Sequence, residues 1–166
     1  LLTKNNYNHS TLSVDGELHR VEGYAPIDNF SVNQSPPSVE LNLQEIFDGQ
    51  LMNPTRRFVK ENGRTLRIID EILPVNKTEK ITWRMMTRAH VRTTDNGAFL
   101  TQDNKELKMS INEPSELQVS VVSMEPPPLP YDKKMKGFKR IEIQIPAYTL
   151  EEYKINTISV TLQLQD

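Results

Sequence analysis

Apolar and polar residues alternate with period two along most of this chain. Val39, Leu41 and Leu43 alternate with Glu40 and Asn42, and Leu66 and Ile68 with Arg67, a pattern that runs on to Ile72. Ile81, Trp83 and Met85 interleave with Thr82, Arg84 and Met86. Leu107, Met109 and Ile111 repeat the pattern, as do Leu117, Val119 and Val121, and then Ile141, Ile143 and Ile145. The cleanest run is the last, Ile158, Val160, Leu162 and Leu164 against Ser159, Thr161 and Gln163. Period two buries one face of a strand and wets the other, as packed antiparallel sheets require. Helical periodicity is confined to single turns at Leu43–Phe47 and Leu150–Lys154. The expected fold is therefore all-β, an antiparallel β-sandwich of many short strands with little or no helix.

Turn residues separate the runs: Asp15-Gly16, Asp48-Gly49, Asn62-Gly63, Asn96-Gly97 and Asp103-Asn104. Asn62-Gly63 predicts a type I′ hairpin between Arg56–Glu61 and Arg64–Ile72, because both residues tolerate positive φ. Pro36-Pro37 marks a loop. The run Glu125-Pro126-Pro127-Pro128-Leu129-Pro130 cannot join a central ladder. Two strands follow it, too few for an independent fold, so they are expected to return to the same sandwich. The 166 residues are thus read as one sandwich domain.

Composition narrows the function classes. The formal net charge is −2, without the basic footprint expected of a nucleic-acid binder. With no cysteine, disulfides and thiolate metal sites are excluded. No apolar run approaches a membrane span, so no membrane partner is expected. There is no Gly-rich phosphate loop and no serine-nucleophile motif. The four N-glycosylation sequons, at Asn8, Asn29, Asn33 and Asn76, read as chance matches.

The opening Asn8-His9-Ser10-Thr11-Leu12-Ser13-Val14-Asp15-Gly16 is the most specific stretch. It is followed by Arg56-Arg57-Phe58-Val59, by Leu66–Ile72 and by Ile81-Thr82-Trp83-Arg84-Met85-Met86-Thr87. In this order the features resemble the C-terminal β-sandwich region of the heparinase II/III-like family of bacterial polysaccharide lyases, from about Tyr7 to Ile111. The resemblance implies β-elimination of uronic-acid glycans such as heparan sulfate. A base removes the proton beside the uronate carboxylate, and that carboxylate must be neutralised. Family members do this with Tyr, His and Asn side chains on an N-terminal helical toroid and an earlier β-segment. None of those motifs occurs in this sequence, so the chain is expected to be non-catalytic alone. The resemblance also implies a periplasmic or secreted protein whose partners are an acidic polysaccharide and an upstream toroid. His9 matches a zinc-ligand position of zinc-bearing members; its partner ligands would lie upstream, so zinc belongs to a longer chain and no cofactor is expected here.

Read from the residues alone, His9 is more often a surface or turn histidine, since zinc needs three or four ligands and no local spacing supplies them; only the resemblance brings the two readings level. Trp83, in phase with Ile81 and Met85, reads as core rather than as a sugar platform. Lys133, Lys134 and Lys136, in a segment with Lys139 and Arg140, are candidate contacts for a sulfated glycan. Such charge runs are more often solvated loops. Arg56, Arg57 and Arg64 are weaker candidates, as hairpin arginines pair with acids such as Glu61. Asp70 and Glu71 point to opposite faces of a strand and cannot act as an acid/base pair. The rival reading, in a different class, is a stand-alone carbohydrate-binding or adhesion sandwich.

Overall fold

A computed structural model describes residues 5–75, 77–127 and 130–166. Asn76, the head of one sequon, and Pro128-Leu129 of the proline run lie outside the described residues. Twelve strands follow in chain order: β1 Leu12–Val14, β2 Ile27–Ser31, β3 Ser38–Asn42, β4 Thr55–Asn62, β5 Thr65–Ile72 and β6 Lys80–Thr87. Then come β7 His90–Thr94, β8 Gly97–Gln102, β9 Lys105–Glu113, β10 Val119–Ser123, β11 Lys139–Pro146 and β12 Asn156–Leu164. They form a four-stranded sheet, β1-β6-β11-β10, and an eight-stranded sheet, β2-β3-β4-β5-β12-β9-β8-β7. All the pairings are antiparallel, so the expected all-β sandwich is what forms.

The alternating apolar sets become the shared core. Ile81 and Trp83 of β6, Ile141, Ile143 and Ile145 of β11, and Ile158 and Val160 of β12 are all buried. The two strands after the proline run do return: β11 enters the small sheet beside β6, and β12 enters the large sheet between β5 and β9. Gly97 opens β8 where a side chain has no room. A Cβ there would meet the Met109 carbonyl oxygen at 2.0 Å.

Two local expectations change. The Asn62-Gly63 hairpin is not type I′, because neither residue has positive φ. Asn62 instead pairs with Thr65 and its side-chain oxygen accepts the Arg64 amide at 2.8 Å, leaving Gly63-Arg64 as the loop. The left-handed pair is Asp103-Asn104, with φ of 51° and 59°, in the two-residue β8–β9 turn where I′ geometry suits the strand twist. The turn expected over Leu150–Lys154 lies earlier, as a 3₁₀ turn at Ala147–Thr149 after Pro146. Proline fixes φ and favours the residue before such a turn. The turn at Leu43–Phe47 is present, with the Phe47 amide on the Leu43 carbonyl at 3.1 Å.

Candidate functional site at one end of the sandwich

Topology brings two separate sequence candidates together. β6 ends at Thr87, which pairs with Lys139 at the start of β11, and Met86 pairs with Arg140. On the other flank of β6, the Ser10 hydroxyl accepts the Met86 amide at 3.0 Å. Arg140 donates through Nη1 to the Tyr7 carbonyl at 3.1 Å. His9 and the basic loop therefore share one end of the small sheet, although His9 and Lys133 are 124 positions apart in the sequence.

The five cations of that loop divide. Lys139 donates to the carbonyls of Ala89 at 3.0 Å and Gly137 at 3.3 Å. Arg140 lies 2.8 Å from Glu142. Lys133, Lys134 and Lys136 are exposed and make no ion pair or hydrogen bond with a described residue. The loop is fastened by the Gly137 amide on the Glu125 carboxylate at 2.7 Å and the Met124 amide on the Phe138 carbonyl at 3.0 Å.

Behind this end lie two buried ionic groups that sequence reading missed. Arg56 and Asp70 are direct cross-strand partners on β4 and β5. Arg56 grips the Asp70 carboxylate with Nε at 2.6 Å and Nη2 at 2.9 Å, and reaches the Ser10 carbonyl with Nη1 at 2.8 Å. The Trp83 indole N–H completes the set on Asp70 at 3.1 Å. Arg56 thus ties the His9 segment to the large sheet, and Asp70 carries the link on to Trp83 of the small one. It does not pair with Glu61, which takes Arg67 instead, while Arg64 pairs with Asp166 at 3.0 Å. Trp83, 1% exposed, is core and no sugar platform. Asp70 is buried and Glu71 only half-buried, as opposite faces require.

The second group lies on the small sheet. Arg84 Nε donates to Glu142 Oε1 at 2.9 Å, so Arg84 and Arg140 share one carboxylate and leave net positive charge. The Arg84 guanidinium sits 5.5 Å from the centre of the Tyr7 ring. The Tyr7 hydroxyl donates to the Gly16 carbonyl, which fixes the segment and occupies the phenol.

His19 Nε2 lies 3.0 Å from the Leu12 carbonyl, and its ring meets Phe47 edge-on at 4.5 Å. A carbonyl only accepts, so this nitrogen carries the proton. The contact occupies the outward edge of β1. Burial pushes the His19 pKa below its usual value, and the nearby charges of His9, Arg56 and Arg84 add to that, against the Leu12 hydrogen bond. The unfolded chain then takes up this proton first as pH falls through about 6.5. Stability is therefore expected to fall as the pH drops through about 6.5 and below, and His19→Gln to flatten that fall. Thermal melts across the range would show it; equal slopes in both proteins would contradict it.

Among the described residues, no group of three or more His, Asp or Glu is placed to hold a metal. His19 is also set among the cations Arg56 and Arg84. The described residues do not by themselves fit a zinc site. A cleft of about 220 Å³ opens at this same end, lined by Thr87, Ala89, Leu100, Gln102, Lys105 and Glu106 among others. A cavity of about 290 Å³ lies at the opposite end, lined by Pro74, Val75 and Lys77 on one side and by Ala147, Leu150 and Tyr153 on the other. No described helix is long and apolar enough to cross a membrane.

Solved structures supply the comparison. The chain superposes on a heparan sulfate lyase, HepC, from Pedobacter heparinus with a TM-score of 0.70 over 95% of its length, at 13% identity. The fold is one found in heparinase III. The heparinase III BT4657 gene product matches over 97% of the chain with a TM-score of 0.74 at 9% identity. A further heparinase III crystal structure matches over 95% with a TM-score of 0.66 at 14% identity. The chain spans about a quarter of the length of these structures, 23–24%. No family model matches the sequence, and no curated protein does. The likeness to heparinase III is thus one of fold.

Proposed function

We propose that this chain is the β-sandwich portion of a polysaccharide lyase that cleaves uronic-acid glycans such as heparan sulfate by β-elimination, and that it is not catalytic alone. The observation that carries this reading is the fold match to heparinase III structures over nearly the whole chain. The His9 opening and the unpaired Lys133, Lys134 and Lys136, gathered at one end, support it. In this reading the lysines flank an acidic glycan, and a toroid outside this chain supplies the base. Such a protein acts in the periplasm or outside the cell.

The elimination product is unsaturated and absorbs in the ultraviolet. Heparan sulfate is expected to give steady growth of that signal with the longer polypeptide containing this chain, and none with the 166 residues alone. Growth with the 166 residues, or none with the longer polypeptide, defeats the reading. One observation favours the rival, a stand-alone carbohydrate-binding module. Tyr153, 93% exposed and held at a φ of 58°, lines the cavity at the opposite end. Under that reading Tyr153→Ala abolishes glycan retention; under the lyase reading retention persists.

A further inference from the structure

Arg88 follows Thr87, the last residue of β6, and leads into the link to β7. It is exposed and makes no ion pair or hydrogen bond with a described residue. Its backbone is not loose. Thr87 before it pairs with Lys139, and the Ala89 carbonyl after it accepts the Lys139 ammonium at 3.0 Å. The Ala89 amide donates to the Thr87 hydroxyl at 3.0 Å, which closes the turn. A fixed backbone thus presents an unneutralised guanidinium at the end of β6.

We propose that Arg88 is the central cation of a strip that takes an acidic glycan across this end of the four-stranded sheet. Lys133, Lys134 and Lys136 lie in the loop that enters β11 on one side of β6, and the His9 segment leads into β1 on the other. The proposal rests on the glycan reading above and adds a residue and a path to it. β1, β6 and β11 are adjacent strands, so the outer two backbones stand about 10 Å apart at the usual strand spacing. Glu106 lines the adjoining cleft, and three other acids at this end are engaged or buried. Glu142 serves Arg84 and Arg140, Glu125 holds the Gly137 amide, and Asp132 is buried. A chain of net charge −2 therefore carries a local positive strip. Such a strip suits an extended polymer whose carboxylates or sulfates repeat along its length. A guanidinium fork grips either group through paired N–H donors, which a lysine cannot do.

Retention of the 166-residue chain on immobilised heparin, eluted with salt, tests this. The comparison set is Arg88→Gln, Lys133→Ser/Lys134→Ser/Lys136→Ser, and Lys108→Gln. Lys108 is an exposed cation on β9 of the other sheet. Wild type is expected to bind. Arg88→Gln should elute at clearly lower salt with at least about threefold weaker affinity, and with the salt slope reduced by about one counterion. The lysine triple variant should lose most retention, and Lys108→Gln should match wild type. Unchanged elution of Arg88→Gln overturns the proposal, as does an equal effect of Lys108→Gln, which would report net charge alone. Equal retention on single-stranded DNA at matched salt overturns the glycan assignment. Absence of product from the longer polypeptide would defeat the lyase reading while leaving these elution results intact, so the two failures are separable. Arg88 is exposed, so melting temperatures should be unchanged, and a shift would identify a folding defect. In that case Arg88→Lys, which keeps the charge, must restore the melt without restoring full retention; recovery of both overturns the role of the fork.

Discussion

Asp70→Ala is expected to destabilise the chain by about 3–5 kcal/mol, the usual result of stripping one partner from a buried ion pair. Asp70 is 0% exposed and accepts three hydrogen bonds, two from Arg56 and one from Trp83. Its removal leaves a guanidinium and an indole N–H buried without their acceptor. The cost comes from that orphaned charge rather than from the strength of the pair. The double variant Arg56→Met/Asp70→Leu should therefore be less damaging than Asp70→Ala, since it removes charge and counter-charge together. It should still loosen the Ser10 segment, which loses the Arg56 contact. Urea denaturation of both variants decides the matter. If the double variant is the less stable, the clamp on Ser10 outweighs the burial of charge, and this account of Arg56 is wrong.

Trp83→Ala should cost about as much, about 3–5 kcal/mol, as large aromatic truncations in cores do. Trp83 is among the largest fully buried side chains and pairs with Leu12 on one flank and Ile143 on the other. The substitution opens a cavity between the sheets and frees one lone pair of Asp70. Trp83→Phe separates the two effects, because it retains much of the ring volume and deletes the N–H. Its loss should be closer to the roughly 1 kcal/mol of a single hydrogen bond, raised where the acceptor stays buried. Since Trp83 and Asp70 touch, their losses will not add. A Trp83→Ala loss below about 1 kcal/mol accompanied by weakened glycan binding would mean that the ring serves as a sugar platform after all.

The sequence alone was enough for the class of fold and for most of the core. Period two is a local property, and residues such as Ile141, Ile143 and Ile145 declare their buried face without reference to any partner. The same logic separated Asp70 from Glu71 and put Trp83 in the core. Short-range turn chemistry was less decisive. Asn62-Gly63 satisfies the composition of a type I′ turn, yet strand register moved the loop one residue on, to Gly63-Arg64. Only the tertiary structure decided the ionic partners. Arg56 has Glu61 close by in sequence, but side chains on one strand five residues apart point to opposite faces, whereas Asp70 lies directly across the ladder. The same holds for the candidate site. His9, Arg88 and the loop of Lys133–Lys136 come to one end of the small sheet because β1, β6 and β11 stand side by side. That order is fixed by which apolar faces pack together over the whole chain, a long-range property that no window of sequence contains.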